Sequence, residues 1–125
     1  GKRPLSSMTP TFLDGPQGVG ILGTPGGSRI ITMLLLGILD YADGSLPAHW
    51  VSLPRFHHQY LPDRVQYEAN AFTSGQKEDL TGYGHELQQL EDGYGNMQAI
   101  LWDKKANKLH AASDPRGIGK AMVQP

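Results

Sequence analysis

The sequence predicts a mixed α+β fold built mainly from antiparallel strands. Three observations carry that reading: short apolar runs punctuated by Gly, Pro and Asp, one apolar segment of helical length, and no repeat or heptad. Sixteen glycines and nine prolines, one residue in five, fit a chain made of short elements and turns. At 125 residues the chain is long enough for one domain, 1–125.

The elements follow in order. Residues 8–13 and 19–22 are apolar and flank Asp14-Gly15-Pro16-Gln17-Gly18, so they read as a β-hairpin. The loop Gly23-Thr24-Pro25-Gly26-Gly27 then leads into a helix over 28–41, with Ser28 as its N-cap and a stop near Asp43-Gly44. That helix is apolar on nearly every side and must be covered all round. The short strands and turns outside it could hardly wrap it, so other polypeptide is expected to cover part of it. Pro47 opens a short helix ended by Pro54. Residues 65–69 alternate as a strand, and 74–81 form a polar helix closing at Gly82 and Gly84. Residues 87–90, 97–102 and 109–112 are strands, the last two joined as a hairpin through 103–108.

Composition removes several function classes. A formal net charge of −1 provides no field for nucleic acid or anionic lipid. With no cysteine, disulfides, thiolate metal sites and a Cys nucleophile are excluded. The longest apolar run, 30–39, is far short of the roughly 20 residues that cross a bilayer. The chain opens Gly1-Lys2-Arg3, without Met or a signal-peptide apolar region, which suggests a processed or engineered end, or a piece of something longer.

Several motifs match only in letters. Gly18-Val19-Gly20-Ile21-Leu22-Gly23 has the dinucleotide-fingerprint spacing, but its glycines fall inside a strand instead of between a strand and a helix. Ser74-Gly75-Gln76-Lys77 lacks the companion motifs of penicillin-recognising enzymes and reads as a helix start. His49, His57, His58, His85 and His110 include no i, i+4 pair, so neither a metal nor a cofactor is expected. His57 and His58 are adjacent and must face different ways.

Two segments retain chemical promise. Consecutive Gly26 and Gly27 precede a helix, so their N–H groups can converge on an oxygen that gathers negative charge. A plain Gly-rich connector fits the same letters. Ser6 and Ser7 could each donate one hydrogen bond to a carboxylate, although a solvated, turn-capping pair is the simpler reading. Arg55 and His57 in one polar cluster, and Asp114 and Arg116 in another, read as structural: buried Arg–Asp pairing that braces a loop.

Four phrases, G-K-R-P-L-S-S-M-T-P-T, G-T-P-G-G-S-R-I-I-T, P-R-F-H-H-Q-Y-L-P-D and S-D-P-R, occur in this order across positions 1 to 116. Together they resemble the γ-glutamyltranspeptidases. The resemblance implies part of an N-terminal-nucleophile hydrolase, an αββα sandwich whose precursor cuts itself into large and small subunits. In that family the new N-terminal Thr attacks the γ-glutamyl amide of glutathione and related compounds, with its own α-amino group as base. Water, or an amino acid or peptide acceptor, then releases the γ-glutamyl group.

Carried onto this chain, the resemblance makes Gly26 and Gly27 the oxyanion hole and Ser6 and Ser7 the site for the substrate's α-carboxylate. The family's nucleophilic Thr lies upstream of G-K-R-P. Thr9, Thr11 and Thr24 are internal and lack the free amine. The chain is therefore expected to be the C-terminal portion of a small subunit, without the strand that bears the nucleophile, and inactive alone. Its expected partners are the upstream small-subunit segment, the large subunit and a γ-glutamyl substrate, in the periplasmic or extracellular setting the family suggests. The alternatives are a non-catalytic fragment that self-associates, or a related glutaryl or cephalosporin acylase. Gly26→Val is expected to abolish turnover in the parent enzyme and leave folding largely intact.

Overall fold

The computed structural model describes residues 1–3, 6 and 8–124, which group into two compact units: Gly1–Leu53 with Gly95–Pro125, and Pro54–Tyr94.

The first unit is a four-stranded antiparallel sheet under two helices. Strand β1 (Thr11–Gly15) returns through Pro16-Gln17 into β2 (Gly18–Gly23), with Gly15 opposite Gly18. Pro16 pre-sets the φ of the first turn position. The hairpin stands as expected, but residues 8–10 lie outside it and the strand runs on to Gly15 instead. After β2 a 3-10 turn (Gly27–Arg29) feeds α1 (Ile30–Ala42). Ser28 is not the N-cap: Arg29 holds that place and no side chain caps it, because the 3-10 turn carries the chain into the helix through backbone bonds. Helix α2 (Pro47–Ser52) has Pro at its first position, as expected.

Packing explains the layer. Ile30, Met33, Gly37 and Tyr41 form the buried face of α1, at helical spacing. Gly37 allows a close approach: a Cβ there would stand 2.7 Å from Leu22 Cδ1. Tyr41 meets Trp50 of α2 edge-on, with ring centroids 5.6 Å apart. On its other face α1 exposes Ile31, Leu35 and Leu39 to solvent, in keeping with a helix too apolar for its surroundings.

The remaining strands of the first unit come late in the chain. Strands β6 (Gln98–Asp103) and β7 (Lys108–Ser113) pair with each other, and β6 pairs with β2, giving the order β1-β2-β6-β7. The hairpin turn is built by Asp103, whose carboxylate accepts the N–H groups of Lys105 and Ala106 at 2.8 and 3.0 Å. Those bonds favour the ionised form and lower the carboxyl pKa, that from Ala106 most strongly.

The second unit holds β3 (Phe56–His57), β4 (Val65–Tyr67), α3 (Ser74–Gly82) and β5 (Leu87–Gln89). Strand β3 runs antiparallel to β4, and β5 runs parallel to β4 after the α3 crossover. A Thr73–Gln76 capping box starts α3, so the S-x-x-K letters do mark a helix start. Phe72 lies against Phe56 and Tyr67, with centroids 5.2 and 5.3 Å away. Among the described residues no helix is long and apolar enough to cross a membrane.

Candidate active site

Strand β2 ends at Gly23 and delivers Thr24, which is buried, while Pro25, Gly26, Gly27 and Ser28 are exposed. Gly26 has φ +151° and Gly27 φ +59°, conformations that L side chains rarely adopt. Both peptide planes here have their carbonyl ends occupied. Pro25 O accepts the Thr24 hydroxyl at 2.9 Å, and Gly26 O accepts the Arg29 N–H at 3.1 Å. A trans peptide points its N–H opposite to its C=O. The Gly26 and Gly27 N–H groups are thereby turned away from these bonds, and among the described residues neither has an acceptor. A Cβ on Gly27 would meet nothing within 4 Å, so the space beside it is open. Two adjacent donors at the entry to a helix favour an oxygen carrying negative charge.

Gly26→Val does not suit the role expected of it. A Cβ on Gly26 would lie 2.5 Å from Met33 Cε, and a β-branched residue at φ +151° is strained. Such a variant disturbs the core residue Met33 together with the loop.

The N-terminal segment reaches the same place. A Cβ on Gly23 would lie 3.9 Å from both Pro10 Cα and Thr9 O. An apolar cleft of about 710 Å³ is lined by Met8, Thr9, Thr24, Pro25, Ile100 and Lys120, among others. Ser6 is exposed, two residues before Met8, and Ser7 lies outside the described residues.

The four residues read as structural all make hydrogen bonds within their own unit. Asp114 is 1% exposed; its Oδ2 accepts the Met97 N–H at 2.8 Å, and its Oδ1 accepts the Arg116 N–H at 2.9 Å and the Arg116 guanidinium at 3.2 Å. That guanidinium also donates to Val51 O and Leu53 O, at 3.2 and 2.9 Å, so the Arg–Asp pair is local while its long reach goes to backbone carbonyls. In the second unit Arg55 is also 1% exposed; its N–H donates to Glu68 Oε2 at 3.0 Å and its guanidinium to Tyr94 O. His57 is buried, with Nε2 2.9 Å from Gln59 Oε1, whereas His58 is exposed beside Asp63, as two adjacent strand-end histidines must be.

Sequence reasoning missed Thr24 and Glu68. A hydroxyl two residues before a glycine pair is a known turn-former and could have drawn attention to Thr24. Glu68 accepts the N–H groups of Arg55 and Tyr94 and carried no comparable local signal.

The gamma-glutamyltranspeptidase family model matches residues 1–124. The chain is 42% identical to the glutathione hydrolase proenzyme of Pseudomonas aeruginosa over 98% of its own length and 22% of the relative's. It spans about a fifth of the length of the glutathione hydrolase relatives it matches, that of Escherichia coli included. The solved gamma-glutamyltranspeptidase of Pseudomonas nitroreducens, complexed with L-DON, superposes with a TM-score of 0.82 and 40% identity over all of this chain and 66% of its own. The Bacillus anthracis transpeptidase CapD superposes at 0.83 with 25% identity, over 99% of this chain and 75% of its own. The antiparallel sheet under its helices is thus part of an N-terminal-nucleophile hydrolase sandwich, as the sequence led one to expect. By its match over residues 1–124 and its likeness to these enzymes, the chain belongs to the gamma-glutamyltranspeptidase family.

Proposed function

We propose that this chain contributes the electrophilic half of a γ-glutamyl transfer and hydrolysis site acting on glutathione and related γ-glutamyl compounds. The observation that carries the reading is the pair of outward N–H groups at Gly26 and Gly27, whose peptide carbonyls are already bonded elsewhere. The nucleophile is an N-terminal Thr on polypeptide upstream of Gly1, within a single small-subunit domain to which both units belong.

The chemistry assigns each group a task. The Thr oxygen forms a bond to the γ-carbonyl carbon, its proton passes to the Thr α-amino group, and the carbonyl electron pair moves onto oxygen. Gly26 and Gly27 donate to that oxyanion, where loss of one such donor costs about 3 kcal/mol of barrier. Collapse of the intermediate breaks the C–N bond, and the leaving amine takes the proton. Water or an amine acceptor repeats the sequence on the γ-glutamyl ester. Ser6 and Ser7 hold the substrate's α-carboxylate; Ser6 is exposed two residues ahead of Met8, which lines the cleft, and that supports the reading. Arg55, His57, Asp114 and Arg116 hold the loops and take no chemical step.

Release of p-nitroaniline from γ-glutamyl-p-nitroanilide tests the reading. Residues 1–125 alone are expected to be silent, and the chain with its upstream segment active. Activity from residues 1–125 alone would overturn the assignment of the nucleophile. Replacing Ser6 and Ser7 by Ala should chiefly raise KM, and an unchanged KM would remove them from substrate binding.

A further inference from the structure

The geometry points to Thr24 as a positioning residue: its hydroxyl locks the Pro25–Gly26 peptide plane and so aims the Gly26 N–H outward. This rests on the reading of Gly26 and Gly27 as the oxyanion hole. Because the peptide is planar and trans, the direction of the Gly26 N–H follows from where the Pro25 carbonyl points. That carbonyl accepts the Thr24 hydroxyl at 2.9 Å.

The hydroxyl is itself anchored. Thr24 is 4% exposed, its oxygen accepts the Asn96 N–H at 3.3 Å, and Met33 Sδ lies 3.8 Å away. A hydroxyl has one proton to give, and a carbonyl at 2.9 Å is a far better acceptor than a thioether at 3.8 Å. Next along the chain, Met97 is held by Asp114. The anchor therefore lies at the start of β6, beside the sheet, whereas the plane it holds belongs to the exposed loop.

Without the lock the plane can turn. Opposite rotations about Pro25 ψ and Gly26 φ reverse a peptide and leave its flanking Cα atoms in place, and glycine tolerates either sign of φ. The following plane is held by the Arg29 N–H on Gly26 O, a backbone bond that needs no particular side chain. Of the two planes, only the one presenting Gly26 depends on a side chain, and that side chain is Thr24.

The test uses the complete gene product that includes these residues, with isotope-labelled glycine, as wild type, Thr24→Val and Thr24→Ser. Val keeps the shape and removes the hydroxyl; Ser keeps the hydroxyl. The Gly26 amide resonance should be single in wild type and Thr24→Ser, and doubled or exchange-broadened in Thr24→Val. In Thr24→Val, kcat for γ-glutamyl-p-nitroanilide should fall about fivefold to tenfold, the effect of one neutral hydrogen bond, with KM little changed. Thr24→Ser should restore kcat. A single, unshifted Gly26 resonance in Thr24→Val overturns the lock, whatever the activity. A doubled resonance with unchanged kcat upholds the lock and sinks the oxyanion reading instead. Should Thr24→Val not fold, Thr24→Ala provides the same readout.

Discussion

Asp114 and Met97 clasp each other twice: the Met97 N–H donates to Asp114 Oδ2 at 2.8 Å, and the Asp114 N–H returns to Met97 O at 2.9 Å. The other carboxylate oxygen takes the Arg116 N–H and guanidinium, and that guanidinium reaches on to the carbonyls that end α2. One fully buried carboxylate thus ties the start of β6 to the end of β7 and, through Arg116, to α2.

Asp114→Ala should therefore destabilise the first unit by about 3 kcal/mol, because it removes the counter-charge of the Arg116 cation and the acceptor of the buried Met97 N–H. The measurement is the urea midpoint at unchanged slope. A loss no larger than an ordinary surface substitution, about 0.5 kcal/mol, would show that the brace is idle.

The parts legible in the sequence were those whose signals lie close together along the chain. Asp14-Gly15-Pro16 and Asp103 mark turns through their own side chains and φ preferences, and Pro47 and Pro54 bound α2 by what proline cannot do. Strand β3 escaped notice because two residues, Phe56 and His57, have no periodicity and become a strand only by pairing with β4. Ser28 misled because capping chemistry assumes that an α-helix begins directly, and here a 3-10 turn intervenes. At the candidate site, the glycine pair was readable, but what aims it was not. Thr24 acquires its partner Asn96 only once β2 and β6 lie side by side.

Tyr41 makes stability depend on alkaline pH. Burial is the main cause that raises its phenol pKa above the usual value of about 10; the Asp14 charge adds to it, and Lys104 opposes it. The neutral phenol donates to Gly18 O at 2.9 Å. A raised native pKa means that this contribution is fully present below the unfolded value near 10 and is lost as pH climbs through the native one. Tyr41→Phe should cost about 1 kcal/mol at neutral pH through the lost hydrogen bond. The gap between wild type and Tyr41→Phe should then narrow steadily as pH rises above about 10. Urea midpoints across the alkaline range check this, and a gap that stays constant would show that Tyr41 does not titrate with unfolding.

The sheet of the first unit has one face under helices, and among the described residues no helix covers the other, which also forms one wall of the cleft. Phe12, Ile21, Ile100 and Ala111 stand opposite one another across four strands, with Val19, Trp102 and Leu109 as the next row. Phe12 is 68% exposed and Ile100 and Trp102 are each 43% exposed, so this is a continuous apolar surface and not scattered residues. The outer strands β1 and β7 add edges that no other strand pairs with among the described residues. Residues 1–125 expressed alone should therefore self-associate through this face. The double variant Phe12→Ser, Trp102→Ser should shift the sedimenting species toward monomer and change the urea midpoint little, since neither side chain is in the core. An unaltered sedimentation profile would place the association elsewhere, with the exposed Ile31, Leu35 and Leu39 of α1 as the next surface to change.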